Sequence, residues 1–135
     1  MNEFDIIDLV YTHVENANTG IPIYKDWSAT GVTGNHIVVG GMEYHELEWE
    51  NSMPVNVNIF IKLSAQSGMT DRTAMRNAKN KIRAELLKIK PIGGQYRSIE
   101  VSGSNRLPGA KEGFDCTNIK VIINCEINIE ELWQK

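Results

Sequence analysis

Cysteine is scarce in this chain, and no cysteine cluster is present. The 135 residues include two cysteines, Cys116 and Cys125, which both fall in one extended segment. Their separation corresponds to about 30 Å of strand, whereas a disulfide needs α-carbons within about 7 Å of each other. We therefore expect free thiols that are buried or half-buried. The sequence contains no CxxC pair or Cys–His cluster of the kind that binds zinc.

Long apolar runs and a basic excess are also missing. No run approaches the roughly 18 apolar residues of a membrane-spanning helix, so the sequence predicts no membrane partner. The acidic N-terminus, residues 1–5, lacks the basic start and apolar middle of a signal peptide. These features predict a protein made and kept in a cytoplasm, or assembled there into something larger. The net charge of -3 argues against a general nucleic-acid-binding domain, which is usually basic.

No catalytic pattern is visible. The three histidines, His13, His36 and His45, have no ligand partners at metal-binding spacing, and neither a phosphate-binding glycine motif nor a nucleophile elbow occurs. The sequence therefore predicts no enzyme, no metal and no cofactor. One enzymatic alternative is a site assembled in space around Glu43, His45 and Glu48. The glutamates there alternate with aromatic residues along one strand pattern, which favours a solvated or subunit-facing acidic face.

What is present is a regular succession of helix and strand patterns. Helices are predicted over 3–16 and 70–90, and strands over 21–27, 36–39, 42–50, 54–63, 95–102 and 116–129. We expect strand 42–50 to pair with 54–63 as a hairpin. The order α-β-β-β-β-α-β-β predicts an α+β fold, in which a mainly antiparallel sheet of about five to six strands packs against two helices. A single domain over 1–135 suits this length.

The helix over 70–90 has the strongest pattern. Thr70 or Asp71 can cap its start, and Pro91 ends it. Apolar residues recur at helical spacing and predict one core-facing stripe. The stripe consists of Met75, Ala78, Ile82, Leu86 and Ile89.

Beside that stripe runs a basic flank, our candidate interaction surface. Half of the basic residues, seven of fourteen, lie within 70–90, against two acids, Asp71 and Glu85. The flank consists of Arg72, Arg76, Lys79, Arg83 and Lys90, with Lys81 and Lys88 on the opposite side. Like charges at i,i+4 repel by a few tenths of a kcal/mol, which an acidic neighbouring subunit or a nucleic acid would offset. The alternative is a solvated flank whose long side chains cover the helix.

The order of elements resembles that of the tail terminator, or tail-completion, proteins of long-tailed phages. The resemblance is carried by helix 3–16, residues 21–24, strand 54–61, helix 71–89 and strand 119–129. It implies an α+β subunit, without catalytic residues, that forms a homo-oligomeric ring, commonly a hexamer. Such a ring caps the tail tube, joins it to the head with other tail or neck proteins, and lets DNA cross its channel. The resemblance also implies a virion protein that is assembled in the host cytoplasm.

Some features depart from that family and leave alternatives open. The polar excursion 103–115 is long, and a neighbouring neck or baseplate role also suits the pattern. A second functional class is a module that binds a small ligand or nucleic acid with loops 28–35 and 103–115 as its mouth. Leu132 and Trp133, near the end of the chain, are expected to dock on the parent fold or on a neighbour.

Overall fold

The computed structural model describes residues 3–25, 32–41, 52–64, 66–89, 98–107 and 110–124. Within these ranges the chain forms two helices and six strands. In chain order they are α1 (Glu3–Asn16), β1 (Ile23–Lys25), β2 (His36–Gly41), β3 (Ser52–Lys62), α2 (Arg72–Leu86), β4 (Ser98–Val101), β5 (Asn105–Arg106) and β6 (Phe114–Asn124).

The strands form one mixed sheet in the order β1-β2-β3-β6-β4, and β5 pairs with β6 beside β4. Only the β1–β2 pair is parallel among the described strands. The α+β class with a mainly antiparallel sheet and two helices is therefore confirmed, and the order of elements roughly matches the expected one. β1 lies within the predicted strand 21–27 and occupies one end of the sheet.

The long strands β3 and β6 form the centre of the sheet. They pair antiparallel in one unbroken register from Ser52↔Asn124 to Lys62↔Phe114. Alternate residues of β3, such as Val55 and Ile59, are completely buried toward the helices. The period-2 apolar pattern thus creates the inner face, because successive side chains of a strand point to opposite sides.

Both helices pack on that inner face. The predicted stripe of α2 is confirmed, because all five of its residues are buried in the same core as Val10 and Val14 of α1. Asp71 caps α2, since its Oδ1 accepts a hydrogen bond from the Ala74 N–H at 3.0 Å. The helix ends at Leu86 rather than at residue 90. Neither described helix is long and apolar enough to cross a lipid bilayer.

The predicted hairpin partner of β3 is wrong. β2 pairs with one edge of β3, from Gly41↔Val55 to His36↔Phe60, and β6 occupies the other edge. This leaves no edge along 55–60 for segment 42–50, which itself lies outside the described residues. The physical reason is burial. β2 carries apolar side chains on both faces, and an interior position in the sheet buries both faces.

The predicted excursion 103–115 contains paired strand. β5 pairs with β6, and β6 begins at Phe114 rather than at residue 116 or 117. Between β4 and β5, the three residues 102–104 lie opposite only two residues of β6, 119–120. The extra residue forms a β-bulge. The Ser102 N–H donates to the Lys120 carbonyl at 2.9 Å, and the Lys120 N–H donates to Ser102 Oγ at 3.0 Å. The period-2 alternation of apolar and polar residues could not reveal β5, because the extra residue of the bulge interrupts that alternation.

The opposite face of the sheet holds a smaller buried cluster of Val38, Phe60 and Cys116. The ring of His36, also fully buried, stacks on Phe60 with centroids 4.7 Å apart. Cys116 is a free thiol, as expected, and burial raises its pKa to about 11. Cys125 lies outside the described residues.

Candidate functional site

A groove of about 210 Å³ lies between the first half of α2 and strands β5 and β6. Its described lining is dominated by cations and hydroxyls. The cations are Arg72, Arg76, Lys79 and Arg106, and the hydroxyls belong to Thr70, Ser104 and Thr117. We call this site the basic groove.

Three of the five predicted interaction residues come together in the basic groove. Arg72, Arg76 and Lys79 share one side of α2, because residues three and four apart are neighbours on a helix surface. Arg72 and Arg76 are exposed and Lys79 is half-buried. No ion pair in the described part of the chain engages any of them.

The other two predicted residues do not line the groove. Arg83 donates from Nε to the Ser102 carbonyl at 3.3 Å, which ties α2 to the β-bulge. Its role in this structure is therefore to hold the helix against the sheet. Lys90 lies outside the described residues.

Arg106 joins the groove from the opposite side and was missed by sequence reasoning. It sits on β5 opposite Thr117, whose side chain faces the helices. Five positions separate Val101 and Arg106, so a regular strand would point them to opposite faces. The bulge changes that alternation, and Arg106 faces α2 as Val101 does. No periodic signal in the sequence marks this residue.

The groove floor carries a single described carboxylate, Asp115. Its side chain is only 6% exposed, and its Oδ1 accepts a hydrogen bond from Arg106 Nη2 at 3.0 Å. The same Nη2 also donates to Thr70 Oγ1 at 3.3 Å. The second oxygen, Oδ2, is buried, and no described residue forms a hydrogen bond with it. A buried acceptor without a donor costs about 1–3 kcal/mol, so this oxygen marks a place where a donor would be stabilising.

The two acids within 70–90, Asp71 and Glu85, do not line the groove, and both have other hydrogen-bond partners. Asp71 caps the helix, as described above. Glu85 accepts hydrogen bonds from Lys88 Nζ at 3.1 Å and from His13 Nδ1 at 3.2 Å. The bond from Lys88, with a smaller contribution from His13, lowers the pKa of Glu85. His13 thus joins the two helices.

The two loops predicted as a binding mouth have different surroundings. Ser104 and Arg106, from the 103–115 excursion, line the basic groove, whereas no described residue of 28–35 does. Elsewhere the two segments approach each other around the buried His36. Its Nε2 lies 3.2 Å from Lys111 Nζ, and its Nδ1 lies 2.9 Å from the Gly34 carbonyl.

The described residues include no group of three or more His, Cys, Asp or Glu side chains that could hold a metal ion. The alternative enzymatic set of Glu43, His45 and Glu48 lies outside the ranges that the structure describes. Leu132 and Trp133 do as well.

Comparison with known proteins adds no family to this picture. No protein-family model matches the sequence, and no curated protein is significantly similar to it. The functions proposed below therefore rest on the fold, the basic groove and the distribution of charge.

Proposed function

We propose that this chain is a structural subunit of a phage or prophage tail or head–tail junction. In this proposal, copies of the chain assemble into a ring at the tail end, where they meet other tail or neck proteins and surround the passing DNA. The α+β fold supports it, because the resemblance implies an α+β subunit.

The observation that carries the proposal is the separation of charge within one subunit. Residues 70–90 carry +5, and the rest of the chain carries -8. Much of the positive charge lies at the basic groove, without an acid from α2 to balance it. Surfaces of opposite sign on one subunit favour head-to-tail contacts between copies, and such contacts close into rings when the rotation between neighbours allows it.

Exposed apolar side chains give further support. Leu87, directly after α2, is 57% exposed, and Met69, three residues before the helix begins, is 68% exposed. Large apolar side chains in such positions are suited to burial at a contact between subunits. Both ends of α2 therefore carry apolar surface that an assembly would cover.

Light scattering combined with negative-stain microscopy tests the ring. We expect a closed oligomer of several copies at low salt and a smaller species at high salt, because screening weakens contacts between exposed charges. A strict monomer at tens of micromolar, both alone and with isolated tail tubes, would contradict the proposal.

A second candidate function is a module that binds small anionic ligands or nucleic acid without forming a ring. The basic groove favours it, because four cations around one cavity suit an anion. A monomer that shifts DNA in a salt-dependent manner would support this candidate over the ring subunit.

A further inference from the structure

The basic groove has the donor set of a phosphate site. Arg72 and Arg76 on α2 oppose Arg106 on β5, and guanidinium groups bind phosphate oxygens through paired hydrogen bonds. Lys79 adds a further positive charge. Among the described contacts, Arg106 is the one groove arginine that forms an ion pair. It forms this pair through Nη2 alone. Most of the donor capacity of the groove is therefore unused.

Asp115 adds an independent requirement to the ligand. Among the described residues its buried Oδ2 has no hydrogen-bond partner, and the Asp115 side chain lines a groove rich in donors for anions. A carboxylate can only accept hydrogen bonds, so a ligand that satisfies this oxygen must bring a donor of its own. Sulfate and the carboxylates of an acidic protein segment bring none. A phosphorylated sugar brings both phosphate oxygens and hydroxyl donors.

The size of the groove limits the ligand further. Its volume of about 210 Å³ is below the roughly 300–1,000 Å³ of typical ligand pockets. One sugar-phosphate unit suits this volume better than a larger cofactor does.

We propose that the basic groove binds one sugar-phosphate unit. The phosphate contacts Arg72, Arg76, Lys79 and Arg106. A rotation of the Asp115 side chain brings its buried Oδ2 to the groove, where a sugar hydroxyl donates to it. The unit comes from a free nucleotide or from a nucleic-acid strand, which present the same chemistry. This inference rests on the groove alone and holds whether or not the subunit forms a ring.

Calorimetric titration of the full-length protein with ribose 5-phosphate, ribose and sulfate provides the first test. We expect a Kd for ribose 5-phosphate of roughly millimolar or tighter, sulfate binding at least about tenfold weaker, and no binding of ribose alone. Equal binding of sulfate and ribose 5-phosphate would overturn the role of Asp115. The absence of ribose 5-phosphate binding would overturn the proposal as a whole.

Charge reversal locates the site. Arg72→Glu combined with Arg76→Glu should abolish binding of ribose 5-phosphate, because it replaces two phosphate donors with repelling carboxylates. The matched control is Lys62→Glu combined with Lys81→Glu, which changes the net charge equally at exposed lysines outside the groove. We expect the control to bind within about twofold of the wild type, since distant exposed charges are screened by salt. Equal loss in both variants would show a general charge effect and contradict the proposed site.

Asp115→Asn separates recognition of the hydroxyl from recognition of the phosphate. We expect it to bind sulfate at least as well as the wild type does and to lose the preference for ribose 5-phosphate. Circular-dichroism melting establishes that the variant is folded. If it is not, the preference measured with the wild type decides the question. A folded variant that keeps the full preference would overturn the proposed contact.

Two further ligands distinguish the sources of the sugar phosphate. Tighter binding of a strand of about ten nucleotides than of adenosine monophosphate, with an affinity that falls steeply with salt, identifies nucleic acid. Equal or tighter binding of the mononucleotide identifies a free nucleotide. If neither ligand binds, and the Arg72 and Arg76 reversals instead disrupt self-association, the groove is a protein contact and the inference fails.

Discussion

Hydrogen bonds to Gly34 and Lys111 favour the neutral form of the buried His36 ring. The Gly34 carbonyl can only accept, so Nδ1 carries the hydrogen, and the Lys111 ammonium can only donate, so Nε2 offers its lone pair. Burial lowers the pKa of His36, and the charge of Lys111 lowers it further, against the opposing effect of the bond to Gly34. A residue without a metal-binding or catalytic pattern in the sequence thus links stability to pH.

Acid should destabilise the fold through His36. Because its pKa is lowered in the folded state, the unfolded chain takes up a proton first as the pH falls below about 6.5. The stability tied to the neutral ring is complete above that pH and is lost below it. His36→Phe keeps a ring that cannot ionise, so its Tm should fall less between pH about 7.5 and 5. Parallel melting curves for the two proteins would contradict this expectation.

Cys116 should react slowly with thiol reagents while the protein is folded. Raising its pKa from 9.0 to about 11 lowers the thiolate fraction near neutral pH about a hundredfold, and burial also limits access. The Cys125→Ser variant leaves Cys116 as the single thiol, so the rate of disulfide exchange with a chromogenic reagent reports on it alone. The rate should rise to that of a free thiol in urea. Equally fast reaction in buffer would show that the thiol is accessible.

The β-bulge between β4 and β5 connects the fold to the groove. It directs Arg106 toward α2, and Ser102 ties it to both β6 and Arg83. One local irregularity thus positions a groove residue and fastens the helix above it. Bulges next to binding sites commonly redirect a side chain in this way.

Ser102→Ala should destabilise the protein by about 1 kcal/mol, because the Lys120 N–H loses the hydroxyl that accepts its hydrogen bond. Urea unfolding followed by circular dichroism measures this change. Ser104→Ala is the matched control, since no hydrogen bond of the Ser104 side chain is present in the described structure. It should change stability by less than about 0.5 kcal/mol. Equal effects of the two substitutions would show that the bulge does not depend on this bond.

Some of these elements could be predicted from the sequence, because their patterns are local. The stripe and basic flank of α2 follow from helical spacing, and the burial of Val55 and Ile59 follows from strict alternation in β3. The partner of β3 and the role of Arg106 could not be predicted in this way. Strand pairing is settled by burial over the whole sheet, and Arg106 depends on a register change that leaves no period in the sequence.

At the scale of the whole molecule, charge and apolar surface are unevenly distributed. The basic groove lies beside the first half of α2, and the exposed Leu87 lies just beyond the end of the helix. The proposed ring uses Leu87 in addition to the groove cations, so the apolar part of the subunit contact can be tested without changing the phosphate site. Substitutions at Leu87 should affect assembly without affecting the groove.

Leu87→Asp should weaken self-association at least about tenfold and leave the Tm nearly unchanged. Leu87 packs little against its own fold, whereas a carboxylate at an apolar contact would have to be desolvated. Sedimentation at several concentrations measures the association. Asn80→Asp is the control, since it adds the same charge at another exposed position of α2. An unchanged association constant for Leu87→Asp would place the subunit contact elsewhere.

The central pairing of β3 with β6 affects how fast, and in what order, the chain folds. Its partners lie between 52 and 72 positions apart along the chain. While the chain leaves the ribosome, β3 must wait for β6 before the middle of the sheet can close. Such non-local pairing slows folding, because a long loop must be ordered before any contact rewards it. The core can therefore be completed only after residue 124 has been synthesised. Until then, the edge of β3 that pairs with β6 is unpaired, and an unpaired apolar strand edge can aggregate with other chains.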